Sequence, residues 1–137
     1  LEVFRADLSP GNENPARSSP ASGTAGFTFD GTTVRYSVEV DDLDRTFMGH
    51  IHSGTSTVNG PVRVWLFPLG ATAPGPEVSV SDKRVLVEGS FTAANVTGIS
   101  FDALLNEMRA GTCYVNFHTT TYPGGEMRGQ VRLVDVD

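Results

Sequence analysis

The sequence lacks the features that would constrain its fold by covalent bonds or by a membrane. Cys113 is the single cysteine among 137 residues, so no intrachain disulfide can form, and its apolar neighbours predict a buried thiol. No apolar run reaches the roughly 18 residues that a membrane-spanning helix needs. Residues 1–8 read as a strand without the charged-then-apolar pattern of a secretory signal. We therefore expect no membrane insertion, and we expect any signal peptide to be absent from this chain.

Positive charge is also scarce. The chain has 10 Lys and Arg against 16 Asp and Glu, which gives a formal net charge of -6 and a pI near 4.9. Nucleic acids and anionic membrane surfaces attract cationic patches, so neither is expected as a partner. A chain of this length can bury one hydrophobic core but does not promise two. We expect residues 1–137 to form a single domain.

Short segments of alternating polar and apolar residues predict strands over most of the chain. The tight turn Asp30-Gly31 predicts a hairpin between residues 24–29 and 32–40. Residues 83–92 predict a strand pair or a bent strand, in which Val85, Val87 and Phe91 are expected to point inward. About eight such strands, the last over 126–134, predict an all-β fold, an antiparallel Greek-key β-sandwich or flattened barrel.

One short helix interrupts the strand pattern. Ser100 is a suitable N-cap, Asp102 favours the positive end of the helix, and Gly111 supplies a C-terminal stop. Between them, four apolar residues recur at helical spacing: Phe101, Leu104, Leu105 and Met108. The sequence therefore predicts a helix that packs one apolar face on the sheets.

All three histidines of the chain lie in two predicted strands. Successive side chains of a strand point to opposite faces, so His50 and His52 share one face, and Tyr114, Asn116 and His118 share another. If the two strands are neighbours, three imidazoles converge, which suits copper or zinc. The alternative is that these histidines are surface residues or hydrogen-bonded structural residues.

Several motifs together resemble one known family. They are Asn12-Glu13-Asn14-Pro15 followed by Ser22-Gly23, Gly49-His50-Ile51-His52, Asn59-Gly60-Pro61 and the run from His118 through Tyr122-Pro123-Gly124-Gly125-Glu126-Met127-Arg128-Gly129-Gln130. In this combination the chain resembles a CHRD (chordin-type) domain over nearly its whole length. CHRD domains occur as repeats in the extracellular antagonist chordin and as stand-alone exported proteins of microbes. The resemblance implies an extracytoplasmic location (periplasmic, cell-surface or secreted) and leaves the chemistry open.

A fainter resemblance is to the copper-zinc superoxide dismutases. Those enzymes place a His-x-His pair of copper ligands on one strand, a further histidine ligand late in the chain and an arginine near the metal. His50, His52, His118 and Arg128 occur here in that order. The fourth bridging histidine, the zinc loop and the disulfide have no counterpart. The resemblance therefore implies a mononuclear three-histidine copper site, with Arg128 drawing superoxide toward the metal.

Three residues near these motifs have two interpretations each. Arg128 either attracts an anion or locks its turn by pairing with Glu126, with Glu13 or with a loop carbonyl. Glu13 either orients a ligand histidine or caps a loop. Tyr122 either forms a wall of the metal site or fills a hydrophobic gap.

Two classes of function follow. The first is a copper-dependent enzyme that acts on a small anion such as superoxide. The second is a noncatalytic extracellular module, in which the histidines hold a structural ion or only one another, and whose ligand is another protein or a second copy of the chain. Zinc is the alternative metal, because three imidazoles and a water also describe a zinc site.

Overall fold

The computed structural model describes residues 1–137, which form ten strands, one α-helix and two short 3-10 turns. The elements in chain order are β1 (Glu2–Leu8), β2 (Ser22–Phe29), β3 (Val34–Asp41), β4 (Leu43–Ser53), β5 (Val62–Phe67), β6 (Val78–Val80), β7 (Arg84–Phe91), α1 (Phe101–Ala110), β8 (Cys113–Thr119), β9 (Met127–Gln130) and β10 (Arg132–Val136). The 3-10 turns are Pro10–Asn12 and Ala93–Asn95.

The strands form two antiparallel sheets that face each other. The first has the order β10-β1-β2-β3-β7, and the second has the order β5-β4-β8-β9, with β6 also paired to β4. Between them lies one cluster of 26 buried hydrophobic residues. The return of the last strand beside the first is typical of Greek-key connections. The predicted all-β sandwich is confirmed, and neither sheet closes into a barrel.

The structure has ten strands where the sequence pattern predicted about eight. The strand β6 has three residues, which is too short to show a period, and it pairs with Leu43 and Thr46 of β4. The single last strand expected over 126–134 is divided into β9 and β10. At the break, the fully buried Val131 donates its backbone N–H to Cys113, and the chain passes from the second sheet to the first.

The β2–β3 hairpin forms as predicted, with one face of β3 buried: Val34, Tyr36, Val38 and Val40. Its turn is longer than expected, since β3 begins at Val34 and not at Thr32. The Asp30 carboxylate accepts the backbone N–H groups of Thr32 and Thr33, which removes both from strand pairing.

Val85 was expected to point inward, but it points outward, and 41% of its surface is exposed. The cause is a bulge between β3 and β7. Val87 pairs with Val38 and Val85 pairs with Glu39, so Leu86 is an extra residue on its strand. The alternation therefore reverses at this point. Val87 lies on the inner face, and Val85 joins Glu39 on the outer face.

The helix α1 has the predicted bounds. The Ser100 hydroxyl accepts the N–H of Ala103 at 3.0 Å, and Gly111 ends the helix in the left-handed conformation with φ 77°. The buried face carries Leu104 and Leu105 with Met108. The helix α1 links β7 in the first sheet to β8 in the second. No helix of the structure has the length and apolar character needed to cross a membrane.

The neighbours β4 and β8 carry the three histidines. Ile51 pairs with Val115, and both belong to the core between the sheets together with Phe117. A side chain at Gly49 would collide with the Phe117 ring, since a Cβ there would lie 2.4 Å from Cε2. Because side chains alternate along a strand, the residues next to these point to the opposite, outer face of the second sheet.

Candidate metal centre

The histidines of β4 and β8 converge on the outer face of the second sheet. One ring nitrogen from each of His50, His52 and His118 can be chosen so that all three lie within 4.8 Å of one another. The ring centroid of His50 lies 5.4 Å from that of His52 and 5.2 Å from that of His118. The predicted convergence of three imidazoles is confirmed.

The site is closed to solvent and rich in unpartnered nitrogen. The three histidines are 2%, 8% and 7% exposed. Four of their buried ring nitrogens have no hydrogen-bond partner: His50 Nδ1, His50 Nε2, His52 Nε2 and His118 Nε2. Buried polar atoms without partners are rare, because each has lost its contact with water without replacement. A metal ion bound to one nitrogen of each ring would satisfy three of the four.

Two backbone carbonyls orient two of the rings. The Nδ1 atom of His52 lies 2.9 Å from the Gly60 oxygen, and that of His118 lies 2.8 Å from the Pro123 oxygen. A carbonyl oxygen can only accept, so Nδ1 carries the proton in both rings. The lone pair is then on Nε2, the atom that faces the cluster. Metal-binding histidines are commonly held in this way.

The surroundings keep the imidazoles neutral. Burial, together with the neighbouring His118 and His52, lowers the pKa of His50 to about 3. Burial also lowers the pKa of His52 and of His118, although the Gly60 and Pro123 carbonyls act in the opposite direction. Neutral imidazole is the form that coordinates a metal. The site is therefore ready for a cation at neutral pH.

Arg128 is packed inside the protein next to this cluster. It is 1% exposed, and its guanidinium donates to the backbone oxygens of Thr55 and Val58 and to Asn59 Oδ1, at 2.9, 2.8 and 2.9 Å. It makes no ion pair with a carboxylate. These contacts match the alternative in which the arginine binds loop carbonyls. Its attraction of an anion stays a prediction.

Tyr114 has a place in the site that the sequence reasoning did not assign. Its ring stacks on His52 with the centroids 4.9 Å apart and the planes 5° apart. The Cζ atom of Arg128 lies 3.5 Å from the centroid of the same ring. The alternation of β8 already placed Tyr114 on the face of His118, and this was the available signal.

Glu13 is buried but does not contact the histidines by a hydrogen bond. Burial raises its pKa to about 7, against the opposing effects of the Arg128 and Arg17 charges and of the Asn116 amide. Its Oε2 atom has no hydrogen-bond partner. The carbonyls of Gly60 and Pro123 orient two of the histidines. That Glu13 orients a ligand histidine stays a prediction.

Tyr122 and Glu126 connect loops around the site. The Tyr122 hydroxyl donates to the Ser18 oxygen at 3.0 Å. Glu126, a possible partner of Arg128 on sequence grounds, instead accepts the hydroxyl groups of Ser19 and Thr119, each at 2.6 Å. Tyr122 directly precedes Pro123, whose carbonyl orients His118. That Tyr122 forms a wall of the metal site stays a prediction.

The fold and the site together define an antiparallel β-sandwich with a buried three-histidine group on one sheet. Comparison with protein families gives a match to the CHRD domain over residues 4–131. The chain therefore belongs to the CHRD domain family. No curated protein is significantly similar to it. The fainter resemblance to the copper-zinc superoxide dismutases is not confirmed by these comparisons.

Proposed function

We propose that this CHRD domain binds one copper ion through His50, His52 and His118 and dismutates superoxide outside the cytoplasm. The observation that carries the proposal is the set of four buried ring nitrogens without partners, on three residues whose ligand atoms lie within 4.8 Å of one another. The extracytoplasmic location rests on what the family resemblance implies.

The orientation of the rings favours a metal over a network of histidines alone. In such a network, one ring would donate an N–H to the Nε2 atom of another. The Nδ1–H groups of His52 and His118 instead point to backbone carbonyls. His50 has both ring nitrogens free and donates to neither partner. Three ring nitrogens therefore meet without a hydrogen bond between them, and a bound cation would satisfy all three.

The donor set supports copper before zinc. Imidazole suits both metals, but the affinity of a nitrogen site for divalent ions rises to a maximum at Cu²⁺ and falls again at Zn²⁺. The group of ligand atoms contains no carboxylate or thiolate. Three protein ligands also leave a coordination position for a small molecule. Zinc is the rival metal that the experiment must include.

The residues of the chain would hold the metal and keep larger molecules away. Their burial restricts the site to a small molecule such as superoxide. Bound copper would supply the one-electron chemistry by which two superoxide anions and two protons become dioxygen and hydrogen peroxide. The carbonyls of Gly60 and Pro123 would fix the ligand rings, so that little rearrangement accompanies binding.

The test is metal analysis followed by a superoxide assay. Protein purified without added metal or chelator should take up one copper per chain, and the loaded protein should dismutate superoxide faster than an equal concentration of free copper. Zinc-loaded protein is the control, since zinc has no second oxidation state for this reaction. A protein that binds copper but is no faster than free copper would be a noncatalytic metal-stabilised module. A protein that binds no metal would overturn the proposal.

A further inference from the structure

The loop of residues 54–60, named here the cap loop, is bound by side chains from other segments, and Arg128 makes more of these hydrogen bonds than any other residue. Arg128 of β9 reaches it with two guanidinium nitrogens. Nη2 donates to the oxygens of Thr55 and Val58, and Nη1 donates to Asn59 Oδ1. The planar guanidinium can hold several acceptors in a fixed arrangement, which an ammonium group cannot do. The conformation of the cap loop therefore depends on this arginine.

The end of the cap loop is attached to the metal centre. The Gly60 oxygen accepts the Nδ1–H of His52 at 2.9 Å, and the Gly60 N–H donates to the Tyr114 hydroxyl at 2.9 Å. Residue 60 has no room for a side chain, because a Cβ there would lie 1.6 Å from the Ser53 oxygen. A displacement of the loop would therefore remove the acceptor that fixes the His52 ring.

A second route joins the same arginine to the same histidine. The guanidinium lies on the Tyr114 ring, at 3.5 Å from Cζ to the centroid, and Tyr114 stacks on His52 at 4.9 Å. The three side chains thus form a stack of cation, phenol and imidazole. Cation–π contacts are stronger where water is excluded, as it is around the buried Arg128.

We propose that Arg128 is a positioning residue, which holds the cap loop and Tyr114 so that Gly60 keeps the His52 ring with Nε2 toward the metal. The inference rests on the proposed metal site and gives Arg128 a role through other residues, without contact with substrate. It also has a kinetic consequence. Since all the free ring nitrogens are buried, metal must enter and leave by local opening, and the cap loop is a segment that Arg128 keeps closed.

The first test is the tautomer of His52 in metal-free protein, read by long-range ¹⁵N–¹H NMR at a pH where the ring is neutral. Wild-type protein should show one tautomer with the proton on Nδ1. Arg128→Gln should show a mixture, and so should Arg128→Lys, which keeps the charge but lacks the planar fork. Arg132→Gln is the matched control, because Arg132 is exposed and pairs with Asp7. An unchanged His52 tautomer in Arg128→Gln would overturn the inference.

The second test is the rate at which the zinc-loaded protein releases its metal to a chelator. Zinc is used because its release involves no redox step. Arg128→Gln should release zinc at least about tenfold faster than wild type, in line with the cost of losing a group that supports a metal ligand. Arg132→Gln should match wild type. Equal release rates in Arg128→Gln and wild type would contradict the kinetic part of the inference.

Asn59→Ala keeps the inference testable if Arg128→Gln does not fold, because it removes one acceptor of Arg128 on an exposed residue. It should shift the His52 tautomer in the same direction and to a smaller extent, and no shift in a folded Asn59→Ala would then overturn the proposal. The NMR test needs no metal. A protein that binds no metal but shows the expected tautomers would thus refute the proposed function and leave the positioning role of Arg128 intact.

Discussion

The indole ring of Trp65 meets the imidazole of His50 at 89°, with the two centroids 4.2 Å apart. Trp65 lies on β5 directly across from His50 on β4. His52 and His118 each donate a ring N–H to a backbone carbonyl. His50 has no such partner, and neither of its ring nitrogens is hydrogen-bonded. The ring of Trp65 is the closest ring neighbour of His50, nearer than the rings of His52 and His118.

This contact makes the only tryptophan of the chain a reporter of metal binding. Copper(II) bound to His50 should quench the fluorescence of Trp65 strongly, because the redox-active ion would lie one imidazole away from the indole. Zinc should change the intensity much less. A titration with each metal measures this, and quenching that saturates at one copper per chain is expected. Quenching that fails to saturate would indicate nonspecific binding elsewhere.

Removal of one ligand should abolish tight binding without loss of the fold. His52→Ala leaves two imidazoles, so copper affinity should fall on the order of 100-fold or more, beyond the loss typical of a supporting residue. The measurement is calorimetric titration, with circular dichroism to verify the sheets. Unchanged copper affinity in a folded His52→Ala would exclude the three-histidine site.

The metal-free protein should lose stability in acid partly through His50. Its pKa falls from 6.5 to about 3 on folding, so the unfolded chain binds more protons between these values. Stability from this group is present above pH 6.5 and is lost as the pH falls toward 3. At pH 5 the loss is about 2 kcal/mol. Urea unfolding at pH 7.5 and pH 5, with a chelator present, should show a smaller decline for His50→Gln than for wild type.

Glu13 should have the opposite effect on stability, which it should lower as the pH rises. Burial raises its pKa from 4.5 to about 7, so its contribution is present below pH 4.5 and is lost as the pH rises through 7. Glu13→Gln should therefore be more stable than wild type at pH 8, by up to about 3 kcal/mol, with little difference at pH 4. Urea unfolding at both pH values measures this.

Glu126→Gln is the control for that experiment. Glu126 is as buried as Glu13, each being 5% exposed, but its carboxylate accepts two hydroxyl groups. Replacement by an amide turns one of those acceptors into a donor, so Glu126→Gln should lose stability at pH 8. A Glu13→Gln variant that is likewise destabilised at pH 8 would show that the ionised Glu13 carboxylate is not a cost to the fold.

The superoxide assay separates the two roles of Arg128. An anion guide needs only the positive charge, so Arg128→Lys should keep both the rate and its dependence on salt. A positioning residue needs the planar fork, so Arg128→Lys and Arg128→Gln should lose rate alike. We expect the second result, measured on copper-loaded variants at low and high ionic strength. Full activity of Arg128→Lys together with an inactive Arg128→Gln would restore the anion-guiding role.

The local features of the chain were predictable because they depend on neighbouring residues. The caps Ser100 and Gly111 define α1 through backbone groups of the same helix. Alternation in β4 and β8 determines that His50 and His52 share a face, and it does so whatever the strands pair with. The bulge that exposes Val85 escaped prediction, because it arises from the register with β3 and not from its own strand.

The sequence by itself determined the β-rich class, the family and the three candidate ligands, since periodicity and motifs are properties of short segments. Only the tertiary structure decided that β4 and β8 are neighbours, so that His118 meets the other two rings. It also decided that Arg128 lies buried under the cap loop and does not face an open site. A guanidinium binds whichever acceptors the fold places around it, and these acceptors are backbone oxygens some 70 residues away along the chain, whose position no local pattern encodes.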